Sequence, residues 1–210
     1  MRPFRDRRIL LGVTGGIACY KSLFLARDLT LAGAAVDVVL TRSALEFVGR
    51  VTFEALTGRP TYVELIEAGH ALDHIRLARA TDLVIVAPAT ADFLARAAQG
   101  RADDLLTACL LATEAPVLVA PAMNDRMWAH PQVRANASHL ASIGYHVVDP
   151  VDGPLAAGEG SGPGRLPEPE AIIAHAGRLL EGPGPLSGRH LVVSAGATRE
   201  AIDRLVRDGA

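Results

Sequence analysis

Short apolar runs alternate along this chain with longer stretches whose apolar positions recur at helical spacing. Residues 9–13 (ILLGV) end at Thr14-Gly15-Gly16, and a helical pattern follows from about 17 to 32, closed by Gly33. Residues 35–41, 82–88, 116–120 and 145–148 repeat the first kind of run. Helical patterns lie between them, at 43–56 with a break near Gly49, then at 72–79, 91–98, 104–113 and 132–143. Residues 61–69 fit neither period. Short strands separated by helices are what parallel βαβ units require. The expected fold is α/β: a doubly wound parallel sheet of Rossmann or flavodoxin-like type, flanked by helices. Ligand crevices belong at the carboxyl ends of its strands.

The pattern changes at 151–169, where glycine and proline crowd into VDGPLAAGEGSGPGRLPEP. This predicts no packed element there, only a surface loop or a mobile flap over a site. A helical pattern resumes at 168–180. Pro183-Gly184-Pro185 then reads as a linker, and 191–194 as a new strand. The division expected is a domain over 1–182, with the flap at 151–169, followed by 183–210 as the start of a second unit.

Composition narrows the function classes. Half of the 210 residues are apolar and the formal net charge is -2, so nothing favours nucleic acid or an anionic membrane as partner. The basic start, Arg2 to Arg8, runs straight into a strand pattern and lacks the apolar core of a signal peptide. No apolar run reaches the roughly 18 residues of a membrane span. A cytoplasmic location is expected. Cys19 and Cys109 sit inside apolar helical patterns and are expected to be buried free thiols. No His/Cys spacing suggests a metal.

Five stretches could carry chemistry. Gly15, Gly16 and Ile17 join a strand to a helix, which is either a plain tight turn or a place where backbone N–H groups meet a phosphate. Thr41 and Ser43 close the second strand without the acidic residue that a dinucleotide site would use on the ribose. Thr90, Ala91 and Asp92 follow the third strand; Thr90 could simply cap a helix. His74 is a lone histidine, a type more often structural or solvated than catalytic. The fifth stretch, Pro121-Ala122-Met123-Asn124-Asp125-Arg126-Met127-Trp128, follows a strand directly. Its Met and Trp residues suit core filling. Its Asn124 can orient a carboxylate by hydrogen bonds without adding charge.

Together these stretches, from about 9 to 180, resemble the homo-oligomeric flavin-containing cysteine decarboxylases, most closely their phosphopantothenoylcysteine branch. His74-Ile75-Arg76-Leu77 and Ala102-Asp103-Asp104-Leu105-Leu106 add to the likeness. Residues 186–203 (LSGRHLVVSAGATREAID) resemble the opening of the phosphopantothenate–cysteine ligase that accompanies that branch, which implies a truncated ligase segment without ligase activity.

The resemblance implies FMN held at the subunit contacts of trimers, commonly gathered into a dodecamer. Gly15, Gly16 and Ile17 would line the flavin, and Thr41 and Ser43 would lie near its phosphate or ribityl chain. Thr90, Ala91, Asp92 and Ala122 would make further contacts, with Asp92 standing where the family usually has Asn. His74 matches the catalytic histidine. Asn124 matches the residue that holds the substrate carboxylate, and Met123 and Arg165 the substrate-binding positions. The implied substrate is 4'-phospho-N-pantothenoylcysteine and the product 4'-phosphopantetheine. A cysteine carboxylate does not lose CO₂ unaided, because the carbanion has no sink. Oxidation of the thiol-bearing carbon to a thioaldehyde, with two electrons passing to flavin, makes an enethiolate the product of decarboxylation. That enethiol is then reduced. The flap of the phosphopantothenoylcysteine branch carries a cysteine for this last step, and Ala157 stands in its place here. The resemblance therefore leaves two alternatives: an oxidative decarboxylase of a peptide's C-terminal cysteine that stops at the enethiol, or a flavin-binding regulatory subunit without turnover.

Overall fold

The protein is described as a computed structural model covering residues 3–69 and 71–182. The ligase-like stretch at 186–203 therefore lies outside the described residues. In chain order the elements are β1 (Arg8–Val13), α1 (Cys19–Leu31), β2 (Ala35–Leu40), a 3₁₀ turn (Arg42–Glu46), α2 (Arg50–Thr57) and β3 (Thr61–Tyr62). Then come α3 (Asp73–Ala80), β4 (Leu83–Ala89), α4 (Ala91–Ala98), α5 (Leu105–Ala112), β5 (Val117–Pro121) and α6 (Asp125–Ala129). The remainder are α7 (Pro131–Ser142), β6 (His146–Val147), β7 (Val151–Pro154), β8 (Ser161–Arg165) and α8 (Pro169–Glu181).

Six strands form one parallel sheet in the order β3-β2-β1-β4-β5-β6. Successive side chains of a strand point to opposite faces, so a fully buried strand feeds two cores. Ile9, Leu11, Val13, Val36, Val38, Leu83 and Ile85 pack beneath Leu25 and Leu29 of α1, Phe53 of α2 and Ile172 of α8. Leu10, Val84, Val86, Val117 and Val119 pack beneath Leu77 of α3, Phe93 of α4, Leu106 of α5 and Leu140 of α7. This is the doubly wound arrangement expected. Gly12 leaves room for a helix: a Cβ there would lie 2.5 Å from the Leu106 side chain.

Two expectations need correction. Residues 61–69, which fit no period, contain β3, two residues that pair with Val38 and Val39 of β2. Residues 151–169 do form a packed element: β7 and β8 are an antiparallel hairpin with Ala157 exposed at its tip. Glycine signals flexibility when taken alone. In β8 it permits close approach to another segment instead.

Both cysteines are free and buried, as expected. Burial raises the pKa of the Cys19 thiol. It pushes Cys109 up to about 12, with the charges of Asp104 and Asp73 adding to the effect. Both therefore stay protonated and unreactive. Among the described residues no helix is long and apolar enough to cross a membrane, and no cluster of three metal-ligating side chains occurs.

At the sheet edge, His146 and His175 share a 2.8 Å Nε2–Nδ1 contact between β6 and α8. Burial, then the charges of His146 and Arg178, hold His175 below the ordinary imidazole value of 6.5. The unfolded chain takes up this proton first, so the contribution is complete above pH 6.5 and is lost as pH falls below it toward the lower folded value. Urea midpoints measured against pH should fall through that window in the wild type and fall less in His175→Gln. Parallel curves for the two proteins would remove His175 from the account.

Candidate active site

The sheet order reverses between β1 and β4. The chain leaves β1 toward β2 on one side and leaves β4 toward β5 on the other, so a crevice opens past their carboxyl ends. Thr14 joins the two ends. Its backbone N–H donates to Pro88 O at 3.3 Å, its hydroxyl donates to the same oxygen at 2.8 Å, and Thr90 N donates to that hydroxyl at 3.0 Å. Beyond Thr14 lies a cavity of about 350 Å³, which falls in the usual range for small-molecule sites. Gly15, Gly16, Ile17, Thr90, Ala91, Ala122, Met123, Asn124 and Arg165 all line it.

The glycine turn is tight for a stated reason. A Cβ on Gly15 would lie 2.5 Å from the Ser43 side chain, whereas one on Gly16 would meet only Thr90 Cγ2, at 3.8 Å. Gly15 thus makes room for a neighbour, and Gly16 leaves space on the cavity side. Helix α1 starts at this turn with no side-chain cap; Cys19 N donates to Gly16 O and Lys21 N to Ala18 O, both at 3.0 Å, whereas the N–H groups of Gly16, Ile17 and Ala18 ahead of them have no acceptor among the described residues. Thr90 does cap α4, accepting from Phe93 N at 3.3 Å, and it lines the cavity as well.

Asn124 is the N-cap of α6. Its Oδ1 accepts from Arg126 N at 3.0 Å, an N–H shared with Asp125 Oδ1. With Oδ1 committed there, the two Nδ2 donors are left for a ligand, which suits them to a carboxylate. The loop is held from behind by β8. Met123 N donates to Gly164 O at 2.9 Å. A Cβ on Gly164 would sit 2.1 Å from Met123 O, and one on Gly162 would sit 2.9 Å from Asp125 Cβ. Gly164 therefore packs on backbone and Gly162 on the Asp125 side chain, and the hairpin also closes one side of the cavity through Pro154, Leu155, Ala156 and Glu159. Trp128 is core filler, 6% exposed beneath Arg134, whereas Met123 and Met127 line the cavity.

The other expected residues lie elsewhere. Thr41 and Ser43 line a neighbouring cavity of about 460 Å³. There the carboxylates of Glu64, Asp103 and Asp104 outnumber the guanidiniums of Arg42 and Arg96. Burial pushes the Asp104 carboxyl up, but hydrogen bonds from Thr107 and Arg96 outweigh it and leave the pKa lowered. Asp92 points to solvent and pairs with Arg96 at 3.0 Å. His74 lines a third, mostly apolar cavity with Leu65, Ile66 and Leu111; its buried Nδ1 has no hydrogen-bond partner among the described residues. Within one chain, His74 and Asn124 do not share a cavity. Neither Cys19 nor Cys109 lines the Asn124 cavity.

The sequence reading missed Lys21, which lines the cavity although it is only 5% exposed. A lysine at helical spacing from the apolar Leu25 and Leu29 was the available signal.

The Flavoprotein family profile matches residues 2–180. This chain belongs to that family. It is 50% identical over 201 residues to the coenzyme A biosynthesis bifunctional protein CoaBC of Mycolicibacterium smegmatis, covering 94% of this chain and 48% of that one. The corresponding protein of Bacillus subtilis is 46% identical, with 94% and 50% covered. The chain spans about half the length of these curated relatives. Among solved structures, the FMN-dependent cysteine decarboxylase SpaF matches with a TM-score of 0.72 at 33% identity, covering 85% of this chain and 99% of that one. A PPC decarboxylase variant complexed with pantothenoylaminoethenethiol matches with a TM-score of 0.74 at 29% identity, covering 85% and 100%.

In this member of the Flavoprotein family the close approach of β8 is open to a direct test. Gly164→Ala should lower stability by roughly 1–3 kcal/mol, because the clash is with backbone that cannot rotate away. Gly16→Ala should leave stability nearly unchanged. Urea denaturation of both variants checks this, and equal midpoints would contradict the packing.

Proposed function

We propose that this chain is an FMN-dependent decarboxylase that converts 4'-phospho-N-pantothenoylcysteine to 4'-phosphopantetheine in coenzyme A biosynthesis. The observation that carries the reading is Asn124, its amide oriented by the α6 cap, in a glycine-edged cavity at the switch point of the sheet. The family and the names of the relatives support the same reaction.

The lining of the cavity suits FMN in its chemistry. Ile17, Ala18, Pro88, Ala122 and Leu166 offer apolar walls for a flat ring. The open side of Gly16 and the N–H groups of Gly16, Ile17 and Ala18 ahead of α1 would face a phosphate. Bound there, FMN would supply a two-electron acceptor for the thiol-bearing carbon of the substrate. Asn124 would hold the substrate carboxylate through its Nδ2 donors and so fix the bond to be broken. The hairpin would exclude water, and Arg165 would take the anionic far end of the substrate.

The position of His74 supports a site completed by a second copy of the chain. Its imidazole, with Nδ1 unpartnered among the described residues, lines an apolar cavity flanked by exposed Ile66 and Leu111, a surface suited to self-association. A trimer, and beyond it a dodecamer, would bring His74 of one copy to Asn124 of the next as a proton carrier.

The hairpin tip favours attention to the second reading. Ala157 stands at the tip and no cysteine lines the cavity, so no thiol there would reduce the enethiol, and this favours a reaction that stops at it. Mass spectrometry of the product separates the two: the proposal requires a saturated thiol, and an enethiol two hydrogens lighter favours the oxidative reaction.

The purified protein should be yellow and release CO₂ from the pantothenoyl substrate. A colourless protein that cannot be reconstituted with FMN would overturn the reading. Asn124→Asp places like charge against the substrate carboxylate and should abolish turnover, as should His74→Asn. Co-assembly of these two inactive variants should restore part of the CO₂ release. A mixture that stays inactive would mean that each site draws both residues from one chain.

A further inference from the structure

One charged cluster at the cavity is not absorbed by this mechanism. Lys21 is buried on α1, and an ammonium out of water requires partners. It has two: Nζ donates to Leu166 O at 2.9 Å and to Glu168 Oε1 at 3.0 Å. The same Oε1 accepts from Arg165 Nη2. Arg165 in turn lies across the backbone of Gly153, where a Cβ would come within 3.1 Å of its Cδ and 3.2 Å of its Nη1. A continuous chain of contacts therefore runs from β7, through Arg165 and Glu168, to helix α1.

Glu168 itself does not line the cavity, whereas Lys21 and Arg165 do. One carboxylate thus serves two cations from outside the site. The cluster keeps a net positive charge, and Arg165 keeps N–H donors beyond the one given to Glu168. A guanidinium held at one edge has less freedom to lose when the other edge takes a ligand. Consistent with this, the hydrogen bond from Lys21, then its charge and that of Arg165, leave the Glu168 carboxyl below its ordinary pKa although burial opposes them.

We infer that Glu168 is a positioning residue for anion recognition: it anchors Arg165 to Lys21 so that the free edge of the guanidinium meets the phosphate of the substrate. The inference rests on the function proposed above and adds to it the residue that sets preference for a phosphorylated over an unphosphorylated pantothenoyl substrate. Glu168→Gln keeps an acceptor oxygen but removes the charge that holds Arg165 and Lys21 together.

Two measurements test it. In kinetics with the flavin-loaded enzyme, Glu168→Gln should raise KM for the phosphorylated substrate about tenfold, the worth of one charge-assisted hydrogen bond. It should leave kcat, and KM for the unphosphorylated substrate, close to wild type. Glu168→Asp should recover part of the loss. A fall in kcat alone, or an equal rise in KM for both substrates, would overturn the inference in favour of a structural role. In calorimetry, which needs no turnover, wild type should bind 4'-phosphopantetheine more tightly than pantetheine, and Glu168→Gln should lose that preference. An unchanged preference overturns the inference. If wild type releases no CO₂ from either substrate yet the variant still loses the preference, the decarboxylase reading fails while the role of Glu168 stands. Retained flavin and an unchanged melting temperature in Glu168→Gln separate these outcomes from misfolding.

Discussion

The arrangement depends on the divergence of the chain at β1 and β4. Two adjacent parallel strands send their connections to opposite sides, so the polar groups at their carboxyl ends are not all met by the sheet. Thr14 meets several of them, accepting from Thr90 N and giving its hydroxyl to Pro88 O. The residues beside it must be small or the crevice would fill. Gly15 yields to Ser43, Gly16 stays open, and Ala91 begins the next helix. A cavity at this place is therefore a product of topology, and its chemistry comes from what other segments bring to it.

The loop after β5 and the hairpin after β6 bring most of that chemistry, and they are fastened to each other by missing side chains. Gly162 and Gly164 let β8 approach Met123–Asp125 at backbone distance, and the bond from Met123 N to Gly164 O registers the two. This couples the covering element to the amide it covers. A displacement of β8 would reach Asn124 through this bond. In the proposed reading the acid–base side of the site is separate. His74 projects into an apolar cavity on another face, so in the proposed reading one chain holds two half-sites and association joins them.

Much of the fold was legible because it rests on local regularities. Buried parallel strands are continuous apolar runs, so β1, β2, β4 and β5 stood out. Helix periods and the punctuating Gly33 and Gly58 marked α1 and α2. The ends of β1, β4 and β5 could be named as ligand-facing because topology places such ends there. What failed locally had no local signal. β3 is two residues long and exists only because Val38 and Val39 lie beside it. β8 reads as a flexible tract, since nothing in its glycines reveals the partner they pack against.

By itself, the sequence determined the order of the elements, the two-faced burial of the strands, the inert thiols and the glycine turn. Each follows from residues within a turn or two of one another. The tertiary structure alone decided which loops share a cavity. Lys21 finds its acceptors 145 and 147 residues away, at Leu166 and Glu168. Asn124 and Arg165 line one space, whereas Thr41, Ser43 and His74, equally suggestive as sequence, line others. Burial and partnership of charged groups depend on contacts between distant segments, and hydrophobic periodicity carries no record of them.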